Sequence, residues 1–251
     1  MSRRLDQALA ARGLARSRTL AASWVRDGRV SVNGVACTKP SRTVSDEDQL
    51  AVTASAAEEY VSRAGHKLVG ALETFTDIDP AGLRCLDAGA STGGFTDVLL
   101  RRGAREVVAV DVGHDQLVPE LRADERVRVF EGLNVRYLDP DRIGGPADLT
   151  VCDLSFISLT LVTDALGRAT KDGGDVLFMV KPQFEVGAHN ISRTGVVTSE
   201  RERRRAVAGV MSAAGRAGLE VMGRVESPLP GQDGNVEFFV WCRKRGIVQG
   251  V

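Results

Sequence analysis

The sequence has few residues of the kinds that build metal centres, disulfide frameworks or membrane spans. It contains four cysteines and three histidines in 251 residues, with no C-x-x-C pair and no grouping of the histidines. Because zinc sites and redox pairs need such side chains at short spacing, we predict reduced, buried thiols and no metal. No apolar run approaches the ~18 residues of a membrane span, and no signal peptide is visible. These absences favour a cytoplasmic protein.

Net charge is also absent overall, but the charges are unevenly distributed. The 33 basic and 33 acidic side chains cancel over the whole chain. Residues 1–45 contain nine basic residues and only two acidic ones, Asp6 and Asp27, so this segment carries +7 and the remainder carries −7. A basic segment joined to a slightly acidic body is typical of an RNA-binding module attached to an enzyme. The alternative, a solvated charged surface without a partner, stays open.

A glycine-rich segment is the strongest local signal, although the dinucleotide fingerprint G-x-G-x-x-G is missing. Residues Asp87-Ala-Gly-Ala-Ser-Thr-Gly-Gly-Phe-Thr96 follow the apolar run Leu83–Leu86, which predicts a strand, a tight turn and a helix N-terminus. The fingerprint does not fit because its second glycine would fall on Ser91. A second apolar run ends in Asp111, which is placed to bond ribose hydroxyls. We therefore predict an adenosine ligand without a pyrophosphate, for which S-adenosylmethionine fits best.

The chain reads as two domains of different class. The first, residues 1–55, has amphipathic helices at 4–12 and 17–26, a hairpin turn at Asn33-Gly34 and a strand at 50–53. A small polar linker at residues 56–61 follows, and the second domain spans residues 62–251. In it, strands are predicted at 83–87, 106–111, 126–130, 148–152, 175–180, 219–226 and 236–242. Helices are predicted at 62–75, 94–102, 115–122, 158–169 and 199–217.

Alternating strands and helices predict an α/β fold with a doubly wound, mostly parallel sheet. The last two predicted strands are separated only by the loop at residues 228–235, which is too short for a crossover helix, so they should pair antiparallel. Seven strands with a terminal antiparallel hairpin are the plan of a Rossmann-like class I methyltransferase. The first domain is predicted to be a small α+β RNA-binding domain.

Charged residues follow the central strands, where ligands bind in open α/β sheets. Asp153 follows the fourth strand, and Lys181 closes the fifth. Glu237 lies within an apolar strand pattern and needs a partner, for which a lysine is the natural choice. Lys67 lies on the helix that precedes the sheet. For Asp153 a helix cap and for Lys181 a surface lysine remain alternative interpretations.

In this order, Lys67, Asp153, Lys181 and Glu237 resemble the catalytic tetrad of ribose 2′-O-methyltransferases of the FtsJ type. Several longer stretches resemble the TlyA family: Val61-Ser-Arg-Ala-Gly-His-Lys-Leu68, Leu86–Thr96, Asp153-Leu-Ser-Phe-Ile-Ser158, Val180-Lys-Pro-Gln-Phe-Glu185 and Ser227-Pro-Leu-Pro-Gly231. The family is described as rRNA cytidine 2′-O-methyltransferase, historically called haemolysin. Its N-terminal unit is an αL RNA-binding motif, which Arg4-Leu-Asp-x-x-Leu9 and Gly28-x-Val-x-Val-Asn-Gly34 match.

The resemblance implies two further sets of site residues. The cofactor would be held by Asp87, Gly89, Ser91, Thr92, Gly93, Gly94, Asp111 and Asn134, with Phe156 packed against the adenine. RNA would be bound by Arg4, Arg16, Arg18, Lys39, Arg63 and Arg136. Two departures stand out: the linker reads Glu58-Glu59-Tyr60-Val61 where a basic and aromatic segment is expected, and the chain stops soon after its last strand.

The implied reaction is methylation of a ribose hydroxyl in ribosomal RNA of the large subunit, with the small subunit left open. We expect Lys181 to deprotonate the hydroxyl or stabilise its alkoxide, Asp153 and Glu237 to orient Lys181, and Lys67 to hold the ribose. Three alternatives remain: a non-catalytic ribosome-assembly factor, a membrane-active haemolysin, and an enzyme acting on a small molecule. The last would leave the basic segment without a purpose.

Overall fold

The computed structural model describes residues 2–15, 18–53, 60–187, 191–231 and 233–246. The chain divides into two compact units, Met1–Glu59 and Tyr60–Val251. Each unit has buried apolar clusters of its own. Most of the predicted linker lies outside the described residues, which resume at Tyr60.

The first unit packs two short helices against small antiparallel sheets. Its elements are β1 (Arg3–Arg4), α1 (Leu5–Ala11), α2 (Arg18–Arg26), β2 (Val30–Val32), β3 (Val35–Cys37), β4 (Thr43–Val44) and β5 (Leu50–Val52). Strand β2 lies between β3 and β5, and β1 pairs with β4. The predicted hairpin turn is confirmed, since Asn33 and Gly34 have φ of 54° and 78°, as a type I′ turn requires. Its core contains Leu5, Leu9 and Val25.

The second unit is a seven-stranded sheet in the order β11-β12-β10-β9-β6-β7-β8. Its strands are β6 (Arg84–Ala88), β7 (Glu106–Val110), β8 (Val127–Phe130), β9 (Ala147–Cys152), β10 (Thr170–Val180), β11 (Leu219–Glu226) and β12 (Phe238–Lys244). Its helices are α3 (Ala64–Thr74), α4 (Gly94–Arg101), α5 (Pro119–Arg122), α6 (Thr163–Arg168), α7 (Pro182–Glu185) and α8 (Glu200–Arg216), with 3-10 turns at Val135–Tyr137, Pro140–Ile143 and Leu159–Leu161. Strand β12 pairs antiparallel with β10 and β11, and the remaining pairs are parallel.

Apolar side chains cover both faces of this sheet. Along β6, Cys85 belongs to one buried cluster and Leu86 to the other, because successive strand residues point to opposite faces. A parallel sheet buried on both faces produces the continuous apolar runs seen in the sequence. The predicted class I methyltransferase fold is therefore confirmed, and the carboxyl ends of β6, β7, β9 and β10 lie at one edge of the sheet.

Several predicted elements differ in extent from the observed ones. The predicted helix at 115–122 is a single turn that begins at Pro119, since proline favours the first helical turn and not its interior. The predicted helix at 158–169 is split into a 3-10 turn and α6 at Val162, whose φ of −121° is not helical. Strand β10 begins at Thr170 and not at residue 175, and its register shifts between Thr170 and Asp175. Strand β12 begins after Glu237, so the prediction that this carboxylate lies inside the strand was wrong.

Candidate active site

The glycine-rich segment forms a tight turn between β6 and α4. Gly89 and Gly93 have φ of +90° and +99°, the left-handed region that favours glycine. A Cβ atom at Gly89 would lie 2.5 Å from the carbonyl oxygen of Asp153, so only glycine allows the loops after β6 and β9 to approach this closely. Gly93 then serves as the N-cap of α4, which leaves the first N–H groups of that helix at the turn.

A cavity of about 580 Å³ opens beside this turn, at the carboxyl edge of the sheet. Its lining residues are Gly89, Ser91, Asp111, Val112, Gln116, Leu133, Asn134, Val135, Asp153, Leu154, Ser155, Phe156 and Ile157. This is the size and mixture of apolar walls and few polar groups typical of a small-molecule site. An adenosine group fits the arrangement, with apolar side chains for the base and the Asp111 carboxylate for ribose hydroxyls.

Two aspartates, Asp111 and Asp87, accept hydrogen bonds from the turn and from the helix that follows it. Asp111 accepts hydrogen bonds from the backbone N–H groups of Ser91 at 2.8 Å and Gly113 at 2.7 Å, which ties the ends of β6 and β7 together. Asp87 is fully buried and accepts a hydrogen bond from the Thr96 hydroxyl at 2.7 Å. Burial raises the pKa of Asp87 to about 7, and the nearby carboxylate of Asp153 adds to the increase.

A second, smaller cavity of about 160 Å³ adjoins the first, and both are lined by Gly89, Ser91, Asp153 and Ser155. Lys181, at the end of β10, lines only the smaller one. Its Nζ lies 2.6 Å from Asp153 Oδ1 and donates a hydrogen bond to Ser155 Oγ at 2.8 Å. Side-chain exposure of 12% for Lys181 and 16% for Asp153 shows that the pair is largely shielded from water. A positive group is thus fixed where the two cavities meet.

Lys67 and Glu237 form a separate buried ion pair. Nζ of Lys67 on α3 donates to Glu237 Oε2 at 2.6 Å, and the two residues are only 8% and 2% exposed. The prediction that Glu237 needs a lysine partner is confirmed, and the partner is Lys67. We also expected Glu237 to orient Lys181, but among the described contacts Lys181 is held by Asp153 and Ser155.

Sequence comparisons agree with this geometry over most of the chain. Residues 60–244 match the FtsJ-like methyltransferase family, and residues 3–50 match the S4 domain. The 16S/23S rRNA (cytidine-2′-O)-methyltransferase TlyA of Mycobacterium tuberculosis is 52% identical over 96% of this chain and 89% of its own length. This chain belongs to the TlyA family of FtsJ-like methyltransferases. It is an S-adenosylmethionine-dependent methyltransferase, as the motifs predicted.

Two further relatives of this TlyA-family chain carry the historical name of the family. Hemolysin A of Brachyspira hyodysenteriae is 36% identical over 94% of this chain and 97% of its own. A solved structure named as a hemolysin of Streptococcus thermophilus is 39% identical, with a TM-score of 0.76, and covers 97% of this chain and 89% of its own. Within the described residues, no helix has the length and apolar character to cross a bilayer.

The TlyA-family fold brings most of the predicted cofactor residues to the two cavities. Gly89, Ser91, Asp111, Asn134 and Phe156 line the larger cavity, and Thr92 and Gly94 line the smaller one. Phe156 is 90% exposed and has φ of +64°, and its ring centroid lies 5.3 Å from that of Phe184.

Two predicted cofactor residues line neither cavity. Asp87 is fully buried, and a Cβ at Gly93 would lie 2.3 Å from Leu121 Cδ1. Both residues therefore contribute to the conformation and packing of the turn and do not face either cavity. Sequence reasoning also missed Ser62, Gln116 and Ser155, which line the cavities. Ser155 was recognisable, since it lies two residues after Asp153 in the same loop.

The predicted RNA-binding residues fall into three groups. In the S4 domain Arg4 and Arg18 both contact Asp6, and Lys39 is exposed. In the methyltransferase domain Arg63 and Arg136 are exposed, with Arg136 stacked 5.8 Å from the ring centroid of Tyr137. Arg16 lies outside the described residues. Within the described part of the chain, no three His, Cys, Asp or Glu side chains are grouped as a metal site would need.

Proposed function

We propose that this protein methylates the ribose 2′-hydroxyl of a cytidine in ribosomal RNA. The observation that carries the proposal is Lys181, whose ammonium is fixed by Asp153 and Ser155 at the junction of the two cavities. A cofactor in the larger cavity and a ribose in the smaller one would meet beside this group. The M. tuberculosis relative is named for cytidine-2′-O methylation of 16S and 23S rRNA, which supports the same substrate here.

The residues that would hold the cofactor follow from the cavity. Asp111 would accept hydrogen bonds from the ribose hydroxyls of the cofactor, since each carboxylate oxygen retains a lone pair beyond the bond it accepts. Leu133, Val135 and Ile157 would contact the adenine. The turn at Gly89 would let the backbone approach the ligand closely. S-adenosylmethionine, when bound, supplies a methyl group already activated by its sulfonium.

The chain itself must then activate and position the acceptor hydroxyl. A ribose hydroxyl is a poor nucleophile at neutral pH, so it needs stabilisation of the negative charge that develops on oxygen. Lys181 would donate a hydrogen bond to this oxygen, while Asp153 keeps the ammonium in place. The hydroxyl proton would pass to the Asp153 carboxylate, which is the proton acceptor of the pair. Fixing the acceptor in line with the methyl group would supply much of the remaining rate.

Lys181→Ala tests the assignment. Loss of one such donor typically lowers kcat by about 10² to 10³, and we expect at least this loss in methyl transfer to ribosomal subunits. Binding of S-adenosylmethionine should stay nearly unchanged, because Lys181 does not line the larger cavity. Lys171→Ala is the matched control, since Lys171 pairs with Asp148 at the protein surface. A Lys181→Ala enzyme with full activity would remove the proposal for this residue.

Substrate choice requires a second measurement. Isolated large and small ribosomal subunits would each be incubated with the enzyme and labelled cofactor, and ribose methylation would be mapped by nucleotide. Label at cytidine 2′-oxygens supports the proposal, in either subunit. Label on bases alone, or none on either subunit, contradicts it. An assembly factor without activity would bind the subunits and leave them unlabelled.

A further inference from the structure

Asp6 of the S4 domain is a buried carboxylate that holds two exposed arginines. It is 2% exposed and accepts hydrogen bonds from Arg4 Nε at 3.0 Å, Arg4 Nη2 at 3.0 Å and Arg18 Nε at 3.2 Å. The arginine side chains remain 43% and 57% exposed. The hydrogen bonds from Arg4, with a smaller contribution from Arg18, lower the pKa of Asp6 to about 2 in spite of its burial. The carboxylate is therefore charged at every pH at which ribosomal RNA is handled.

The geometry leaves most guanidinium donors directed away from Asp6. An arginine carries five N–H donors in a planar fork. Arg4 donates hydrogen bonds to the carboxylate from Nε and Nη2, whereas Arg18 donates only from Nε. The Nη groups of Arg18 therefore make no bond to Asp6 and can donate to a ligand. Because both guanidinium groups bond the same carboxylate, they are held close to each other. Two such forks are suited to the oxygens of one anionic group or of two adjacent ones.

A phosphodiester fits the charge of this arrangement. The three side chains carry a net charge of +1, and they lie in a segment of 45 residues with a net charge of +7. A backbone phosphate carries one negative charge and accepts hydrogen bonds on two free oxygens. Arg4 and Arg18 are already expected to bind RNA; we propose that Asp6 is a positioning residue, which orients both arginines toward one phosphate of the RNA backbone. The proposal rests on ribosomal RNA being the substrate.

The Asp6→Asn variant distinguishes a positioning role of Asp6 from an effect of net charge on RNA binding. The substitution keeps both arginines and makes the domain more positive by one charge. If charge alone determined binding, RNA would bind more tightly and with a steeper dependence on salt. If Asp6 positions the arginines, binding to a ribosomal RNA fragment should weaken at least tenfold, and the slope of log affinity against log salt should fall by about one, the value for one phosphate contact.

The control is Glu47→Gln, because Glu47 is an exposed acid in the same domain and its loss changes the charge equally. Binding should be unchanged or slightly tighter in this variant. Asp6 also accepts a hydrogen bond from the N–H of Gln7 in the first turn of α1, so thermal unfolding of each variant is measured alongside.

If Asp6→Asn does not fold, Arg18→Lys supplies the answer, since it keeps the charge and removes the fork. Arg18→Lys should then weaken binding at least fivefold. In a folded double variant the two losses should not add, because both act on one site. Tighter binding by Asp6→Asn, or wild-type binding by Arg18→Lys, would overturn the proposal.

A methyl-transfer assay distinguishes failure of this proposal from failure of the proposed function. A positioning role in RNA binding predicts a raised KM for the RNA with kcat unchanged at saturation. Absence of methyl transfer by the unmodified enzyme would instead contradict the proposed function, and the binding comparison would still decide the role of Asp6.

Discussion

At the residue scale, the pairing of Lys67 with Glu237 has a consequence for stability. Both groups are buried, and each neutralises the other. Removing one partner leaves an unpaired charge in a poorly solvated place, which typically costs about 3–5 kcal/mol. We therefore expect Lys67→Met to lower the free energy of unfolding by about this amount, measured by chemical denaturation.

Two further variants serve as comparisons for the stability of Lys67→Met: one removes both charges of the buried pair, and the other breaks an exposed ion pair. Lys67→Met combined with Glu237→Gln removes both charges and should recover most of the lost stability. Arg204→Ala breaks the exposed pair with Glu200 and should change stability by less than about 1 kcal/mol. A stable double variant without methyl transfer would support a role for the pair in the reaction. Equal instability of the single and double variants would contradict the ion-pair argument.

The buried carboxyl of Asp87 predicts a dependence of stability on pH. Its pKa is raised to about 7 in the folded protein, from an ordinary value of 3.8, because burial disfavours the charged form. A raised folded pKa means that the folded state holds the proton more tightly, so stability is lost as the pH rises from about 4 to about 7. Asp87→Asn should remove this loss.

Relative to the unmodified protein, the Asp87→Asn variant should therefore gain stability between pH 4 and pH 8. The gain is on the order of a few kcal/mol, from about 1.4 kcal/mol per unit of pKa. Unfolding free energies of both proteins without cofactor, measured at several pH values, test this. Parallel curves would show that Asp87 ionises alike in the folded and unfolded states.

At the element scale, the segment after β10 holds the loop after β9 at more than one place. Glu185 in α7 accepts hydrogen bonds from the Ser158 hydroxyl at 2.6 Å and the Leu159 N–H at 2.8 Å. Glu185→Ala removes the acceptor of this amide, so its hydrogen exchange should be at least tenfold faster. The cofactor should also bind less tightly, since Asp153, Ser155 and Phe156 of this loop line the larger cavity.

Glu226→Ala is the control for this element, because Glu226 is an exposed carboxylate at the end of β11. Exchange at Leu159 and cofactor affinity should both stay at their wild-type values in this variant. Unchanged exchange at Leu159 in Glu185→Ala would mean that the 3-10 turn Leu159–Leu161 holds the loop without the carboxylate.

Strands β7 and β9 could be predicted because each is a short apolar run buried on both faces, and the edge strand β11 because its exposed and less exposed residues alternate. Strand β11 was predicted at its observed bounds, 219–226. The ends of helices were harder, since Pro119 and Val162 act through local backbone geometry that hydrophobic periodicity does not report. For residues that meet only in the folded structure, the sequence predicts the chemical type of a partner and not which residue it is: a lysine was expected for Glu237. The roles of Ser155 and Asp6 follow from contacts that only the structure shows, with Lys181 for Ser155 and with Arg4 and Arg18 for Asp6.

At the scale of the whole molecule, the two ligands should respond differently to salt. The S4 domain, residues 3–50, carries nine basic and five acidic side chains and so a net charge of +4, whereas the larger cavity is built from a neutral turn, apolar side chains and few carboxylates. RNA binding that neutralises six to ten phosphates weakens by about 10³ to 10⁵ between 50 mM and 200 mM salt. A cofactor held mainly by hydrogen bonds and apolar contact should change its affinity by less than about threefold over the same range.

Both affinities would be measured on the full chain by titration at several salt concentrations, with a ribosomal RNA fragment and with S-adenosylmethionine. Arg18→Ala should flatten the salt dependence for RNA and leave the cofactor titration unchanged, because Arg18 lies in the first unit and the larger cavity lies in the second. RNA affinity insensitive to salt would mean that the basic segment does not contact the backbone. The uneven distribution of charge in a chain with no net charge would then need an explanation other than RNA binding.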